Sequence, residues 1–139
     1  MADRLTPQQR SALMARIKSR DTGPELAVRK LAHALGYRFR LHAKDLPGRP
    51  DIVFPRLRRI IMVHGCFWHR HEGCAKASAP KSREDYWQSK FARNMARDAD
   101  VFIALEVLGW EVLVVWECET EGVLRKGLEA RVRGFLAGD

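Results

Sequence analysis

The sequence predicts an α/β chain, a mixed β-sheet with helices packed against it. Three patterns carry that expectation. Apolar residues recur at helical spacing from Thr22 to Gly36 and again from Arg83 to Leu108. Two short β-branched runs, DIVF and RRIIMVHG, lie between turn-forming residues, and WEVLVVWE is apolar almost throughout. A chain of 139 residues buries roughly two-thirds of its unfolded surface when compact, enough for one core, so a single unit spanning 1–139 is expected.

Element by element, SALMARIK carries Leu13, Met14 and Ile17 at helical spacing and predicts a short first helix. The next helix starts at TGPE, where Thr22 and Glu25 have the spacing of a capping box, and runs through Leu26, Val28, Leu31 and Leu35 to Gly36. At Tyr37 the period changes to two, and YRFRLH reads as a half-buried strand. KDLPGRPD is a turn-rich link. DIVF and RRIIMVHG, separated by PRLR, read as consecutive antiparallel strands, and residues 66–81, which lack any period, as an irregular loop. Ser82 and Asp85 suggest the start of a long helix with Phe91, Met95, Phe102 and Leu105 in one stripe, ended by Gly109. WEVLVVWE is expected to be a strand buried on both faces, and residues 121–136 a weaker last helix.

No long apolar run and no signal-peptide pattern is present, so the expectation is a soluble cytoplasmic protein without a membrane partner. The net charge of +8 is uneven. Residues 1–60 hold 14 Lys/Arg against 5 Asp/Glu, and residues 101–139 hold 4 against 7. A basic front half of this kind suits a polyanion such as nucleic acid.

The segment HGCFWHRHEGC, residues 64–74, concentrates the chemistry. Three cysteines without an export signal favour metal binding or plain thiols over disulfides. Cys66, His71 and Cys74 have the spacing of ligands that one loop folds around a tetrahedral ion, and Cys118, just past the last strand, completes a closed structural Zn²⁺ site. His69 could take the place of His71 in that set. Asp51 stands at a strand entrance behind the rigid Pro50, with His64 arriving on the neighbouring strand and His69 on the loop. A carboxylate and histidines at adjacent strand ends make a site for a hard cation with a base beside it, the combination needed for phosphodiester hydrolysis with Mg²⁺. Glu25 fits either the capping box or a hydrogen bond to metal-bound water.

LPGRPDIVF, VHGCFWHRH and VVWEC, in this order and with these gaps, resemble the very short patch repair endonucleases, bacterial nickases with a restriction-endonuclease-like fold. The resemblance extends from SALMARIKSRDTGPE to Cys118, and HGCFWH is its most diagnostic piece. It implies a nick 5′ of the thymine in T·G mismatches that arise by deamination of 5-methylcytosine. It also implies that Asp51 and the Val63 carbonyl hold Mg²⁺, that His69 activates water, and that Glu25 and His64 organise the water shell. Cys66, His71, Cys74 and Cys118 match the structural zinc ligands, which leaves His69 free and makes 66–81 a zinc-braced loop. Residues 1–20 would contact DNA, with Met14 entering the base stack together with Phe67 and Trp68, while Lys90 and Asn94 would touch the mismatched bases. Partners implied are double-stranded DNA carrying a T·G mismatch and host mismatch-repair proteins, with the enzyme acting as a monomer. A zinc-braced DNA-binding module without catalysis, and a double-strand endonuclease of the same fold, are the competing readings.

Overall fold

The computed structural model describes residues 21–78 and 81–138. The expected first helix, Met14 and the rest of 1–20 lie outside the described residues, as do positions 79–80 of the loop. Among the described residues, α1 (Gly23–Ala34) is followed by β1 (Arg40–Leu41), β2 (Ile52–Phe54), β3 (Arg59–His64), α2 (Glu84–Val107), β4 (Glu111–Trp116) and α3 (Arg125–Ala137), with short 3₁₀ turns at Ala75–Ala77, Glu117–Thr120 and Gly122–Leu124. No helix among them is long and apolar enough to cross a membrane.

The sheet is mixed, in the order β1-β2-β3-β4. The first three strands are antiparallel, with β2 and β3 joined at 55–58 by a tight turn, and β3 and β4 run parallel with Val63 opposite Val115. Parallel pairing requires a long crossover, and α2 supplies it. Alternation along the strands splits the core. Ile52, Phe54, Ile61 and Val115 face α1 and α3 through Val28, Ala32, Leu128, Val132 and Leu136. Val53, Ile60 and Met62 face α2 through Leu105, with Trp110 and Ala43 closing the layer. His64 continues the second set of positions, so β3 delivers it to the α2 face, where it is 6.0 Å from the Phe102 ring.

Four expectations need correction. Only Arg40–Leu41 of YRFRLH pairs as strand, although Tyr37 and Phe39 still turn inward onto Phe54, with centroids 6.3 and 5.8 Å away. The strand is cut short because His42 takes a left-handed φ of +45° and leads into the turn. β4 is not buried on both faces, since only Val115 is fully buried in it. It lies at the end of the sheet order, and Arg131 covers its open edge by donating to the Val114 carbonyl at 2.9 Å. Helix α2 starts at Glu84, with its N-cap Arg83 at φ +57° and stacked over Tyr86, so Ser82 is not the cap. Met95 is 52% exposed, because the buried stripe of α2 runs from Phe91 to Leu105 through Asn94 and Asp98 instead.

Candidate active site

The turn before β2 is shaped by Gly48, whose φ is +74° and whose missing side chain leaves room for α2. A Cβ there would sit 2.6 Å from Val101 Cγ1. This close approach, followed by buried Pro50, fixes Asp51 at the start of β2. Its Oδ2 accepts the Val63 N–H at 2.8 Å, which ties the carboxylate to β3. Burial pushes the Asp51 pKa up to about 6, a rise that the Val63 N–H opposes and that the neighbouring Glu25 carboxylate reinforces.

Glu25 does not close a capping box. The Thr22 hydroxyl accepts from Glu25 N at 3.3 Å, but the Glu25 carboxylate reaches one residue further out, to Asp21 N at 3.0 Å. The same oxygen, Oε2, receives Arg29 at 2.7 Å and His42 Nε2 at 3.1 Å. Three donors on one oxygen orient the buried carboxylate beside Asp51.

His69 leaves the loop in the opposite sense to His71. Its Nδ1 lies 2.6 Å from Asp98 Oδ2 on α2, and its ring stacks on His64 at 3.8 Å between centroids. Burial, then the nearby His69 charge, lowers the His64 pKa to about 4, with Asp98 opposing, so His64 is neutral at pH 7. In the tautomer with its proton on Nδ1, His69 donates to Asp98 Oδ2 and keeps Nε2 as an acceptor. Asp98 and His42 were not anticipated from the sequence. For Asp98 the signal was its position seven residues after Phe91, a carboxylate on the buried stripe of a helix.

Cys66, His71, Cys74 and Cys118 come together, with one ligand atom from each lying within 4.8 Å of the others. His71 Nδ1 is 3.5 Å from both the Cys66 and the Cys118 sulfurs, and its ring stacks on Trp116 at 4.2 Å. Burial pushes the Cys66 thiol up to about 12 and raises Cys118, whereas the Lys76 backbone N–H lowers Cys74. Three sulfurs and an imidazole at tetrahedral reach fit Zn²⁺, whose charge would offset the cost of holding thiolates there. The Asp51 carboxylate, with the Glu25 carboxylate beside it as an acceptor for bound water, is a hard oxygen donor that fits Mg²⁺.

Between the two clusters, Phe67 and Trp68 are half-buried at the rim. Phe67 packs edge-on against Trp68, Trp87 and Phe91 at 5.0 to 5.5 Å, and Trp87 also approaches Trp68 at 5.9 Å. Lys90 and Asn94 both reach this pair, with Lys90 Nζ 5.3 Å from the Trp68 ring centre and Asn94 Nδ2 donating to the Trp68 carbonyl at 3.3 Å. One cavity of about 940 Å³ joins Glu25, Asp51, Val63, His64, His69, Asp98, Phe67, Trp68 and Lys90. Asn94 reaches this group through the Trp68 carbonyl, and Cys66, His71, Cys74 and Cys118 form a separate cluster that does not line the cavity.

Residues 2–76 match the family model for the DNA mismatch endonuclease Vsr. The chain is 54% identical to the type II nicking enzyme V.XorIIP of Xanthomonas oryzae pv. oryzae over 98% of each chain. It is 40% identical to the type II nicking enzyme V.NmeAIP of Neisseria meningitidis over 96% of each. Against the DNA mismatch endonuclease Vsr of Escherichia coli it is 37% identical over 100% of this chain and 90% of that one. The carboxylate at the head of β2, the imidazole–carboxylate pair across from it and the extent of this similarity lead to one assignment: the chain belongs to the family of the DNA mismatch endonuclease Vsr.

Proposed function

We propose that this DNA endonuclease is a Mg²⁺-dependent nickase that cuts one strand 5′ of the thymine in a T·G mismatch, acting as a cytoplasmic monomer with a restriction-endonuclease-like fold. The observation that carries the reading is the meeting, in one cavity, of a half-buried carboxylate, an imidazole–carboxylate pair and a half-buried aromatic pair. Asp51 and the Val63 carbonyl would hold Mg²⁺, which when bound polarises the phosphate and neutralises the charge that develops on it. His69, steadied by Asp98, accepts the proton of the attacking water at Nε2. The water oxygen bonds to phosphorus while the bond to the 3′ oxygen of the preceding sugar breaks, and that oxygen takes a proton from bulk water and leaves as a hydroxyl. Glu25, held through Oε2, and the neutral His64 orient that water. Phe67 and Trp68 enter beside the mismatch, where unstacking costs on the order of a few kcal/mol per step and a weakly paired T·G lowers that cost. Their packing against Trp87 and Phe91, and the zinc held by Cys66, His71, Cys74 and Cys118, order the pair before DNA arrives.

A supercoiled plasmid with a single T·G mismatch tests the reading. A nickase converts it to open circles and stops. Linear products would mean an ordinary double-strand endonuclease, and supercoils left intact but bound would mean a binding module.

The site chemistry has consequences for one variant and for pH. Asp98→Asn keeps the side-chain shape but removes the charge that fixes the His69 tautomer, so cutting under single-turnover conditions falls by roughly 10²-fold with duplex affinity retained. Equal loss of affinity and cutting would place Asp98 in DNA binding instead. With its pKa near 6, Asp51 binds a proton in competition with the cation at acid pH. Mg²⁺ affinity, measured by calorimetry without DNA, therefore rises as pH increases through about 6 and levels off above it. A profile that stays flat from well below that pH to well above it contradicts the placement of the ion at Asp51.

A further inference from the structure

The cavity at Asp51 has cations on two walls: Lys44 and Arg49 come from the turn between β1 and β2, and Lys90 and Arg97 from α2. The nearby arginines that serve the fold are bonded, Arg29 to Asp21 and Glu25 and Arg70 to the Phe67 and Ala77 carbonyls. No hydrogen bond or ion pair among the described residues ties down the Arg49 side chain, which is exposed. Its backbone is nevertheless constrained. Arg49 sits at φ +46°, between Gly48, pressed onto Val101, and the buried Pro50. A left-handed conformation is unfavourable for a long side chain and natural for glycine. Arg58, Arg70 and Arg83 share it, but each of those side chains is held by a carbonyl or a ring, whereas the Arg49 side chain has no such contact among the described residues. Arg49 is two residues from Asp51, so their Cα atoms are at most about 7 Å apart, and both residues line the one cavity.

Resting on the mismatch-nickase reading, we propose that Arg49 is a positioning residue that binds a backbone phosphate of the cleaved strand next to the scissile one. A planar, permanently charged guanidinium matches a phosphate with two parallel hydrogen bonds. Held by a strained turn whose other end carries Asp51, it sets the register of the strand over the carboxylate. Such a contact is blind to base identity and releases counterions, so it acts on all duplexes alike.

The test compares wild type, Arg49→Gly and Arg49→Lys. Glycine suits the backbone angle, so its thermal melt stays at or above that of wild type and folding does not confuse the result. Affinity for T·G and T·A duplexes is read by fluorescence anisotropy over a salt series without added Mg²⁺, and cutting of the T·G duplex is read with it. Arg49→Gly should weaken binding to both duplexes by roughly tenfold, the equivalent of one charge-assisted contact. Its slope of log affinity against log salt should be shallower by about 0.9, and Arg49→Lys should restore the slope. An unchanged slope in Arg49→Gly overturns the proposal, as does a loss confined to the T·G duplex. If wild type itself binds mismatches but does not cut, the nickase reading fails while the salt slopes still decide the phosphate contact.

Discussion

Asp51→Ala abolishes nicking, by at least about a thousandfold, because it removes the only side-chain ligand proposed for the catalytic cation. Mismatch binding survives, since the aromatic pair and the basic walls of the cavity are untouched. Stability responds through two opposed effects. The Val63 N–H loses its partner at 2.8 Å, and for this part-buried donor at the cavity wall the cost lies at or below the lower end of the roughly 1–3 kcal/mol of a fully buried one. Removing Asp51 also relieves the crowding of two carboxylates that raises its pKa. Asp51→Asn separates these effects, because an amide oxygen still accepts from Val63 but binds a divalent cation poorly. Nicking by either variant at a wild-type rate, measured in a single turnover, would show that Asp51 only terminates the strand pairing.

Cys118→Ser lowers the melting temperature by roughly 10 °C or more in the zinc-loaded protein, because structural zinc binding is part of the folding free energy. Cys118 lies beyond the end of β4 and the other three ligands lie on the loop after β3, so the ion would fasten that loop to the sheet. Losing the fastening frees Phe67 and Trp68, and discrimination between T·G and T·A duplexes falls along with stability. A chelator strong enough to remove zinc brings wild type down to the same melting point and leaves the variant unmoved. Equal melting curves for the two proteins, with and without chelator, would mean that the cysteines are ordinary thiols.

The parts of this molecule written in local pattern were legible in the sequence. Thr22 and the apolar spacing that follows it gave α1, the period of two in IVF and RIIMVH gave β2 and β3 with their antiparallel pairing, and the spacing of Cys66, His71 and Cys74 foretold that they cluster with Cys118. What escaped depends on how elements meet. Asp98 becomes a partner of His69 only because α2 crosses the sheet with Asp98 turned to the cavity and Asn94 to the Trp68 carbonyl, which also turns Met95 out to solvent. The grip of Arg29 and His42 on Glu25 joins residues that are 17 apart at their widest, across the α1–β1 connection. The overestimate of β4 burial has a similar cause, since an apolar run looks the same at the end of a sheet as in its middle and only the strand order tells them apart. The placement of Asp51 and His64 at strand ends was readable because turns announce themselves through Gly and Pro, as LPGRPD does before Asp51.

Mismatch-directed, Mg²⁺-dependent nicking is tested most directly by mapping the cut on end-labelled duplexes that differ only in one pair, T·G against T·A, each with and without Mg²⁺. The expected product is a single break at the phosphate 5′ of the mismatched thymine, on that strand alone and only with Mg²⁺ present. Cutting of the T·A duplex at the same rate, or a break that persists when Mg²⁺ is withheld, would contradict the account.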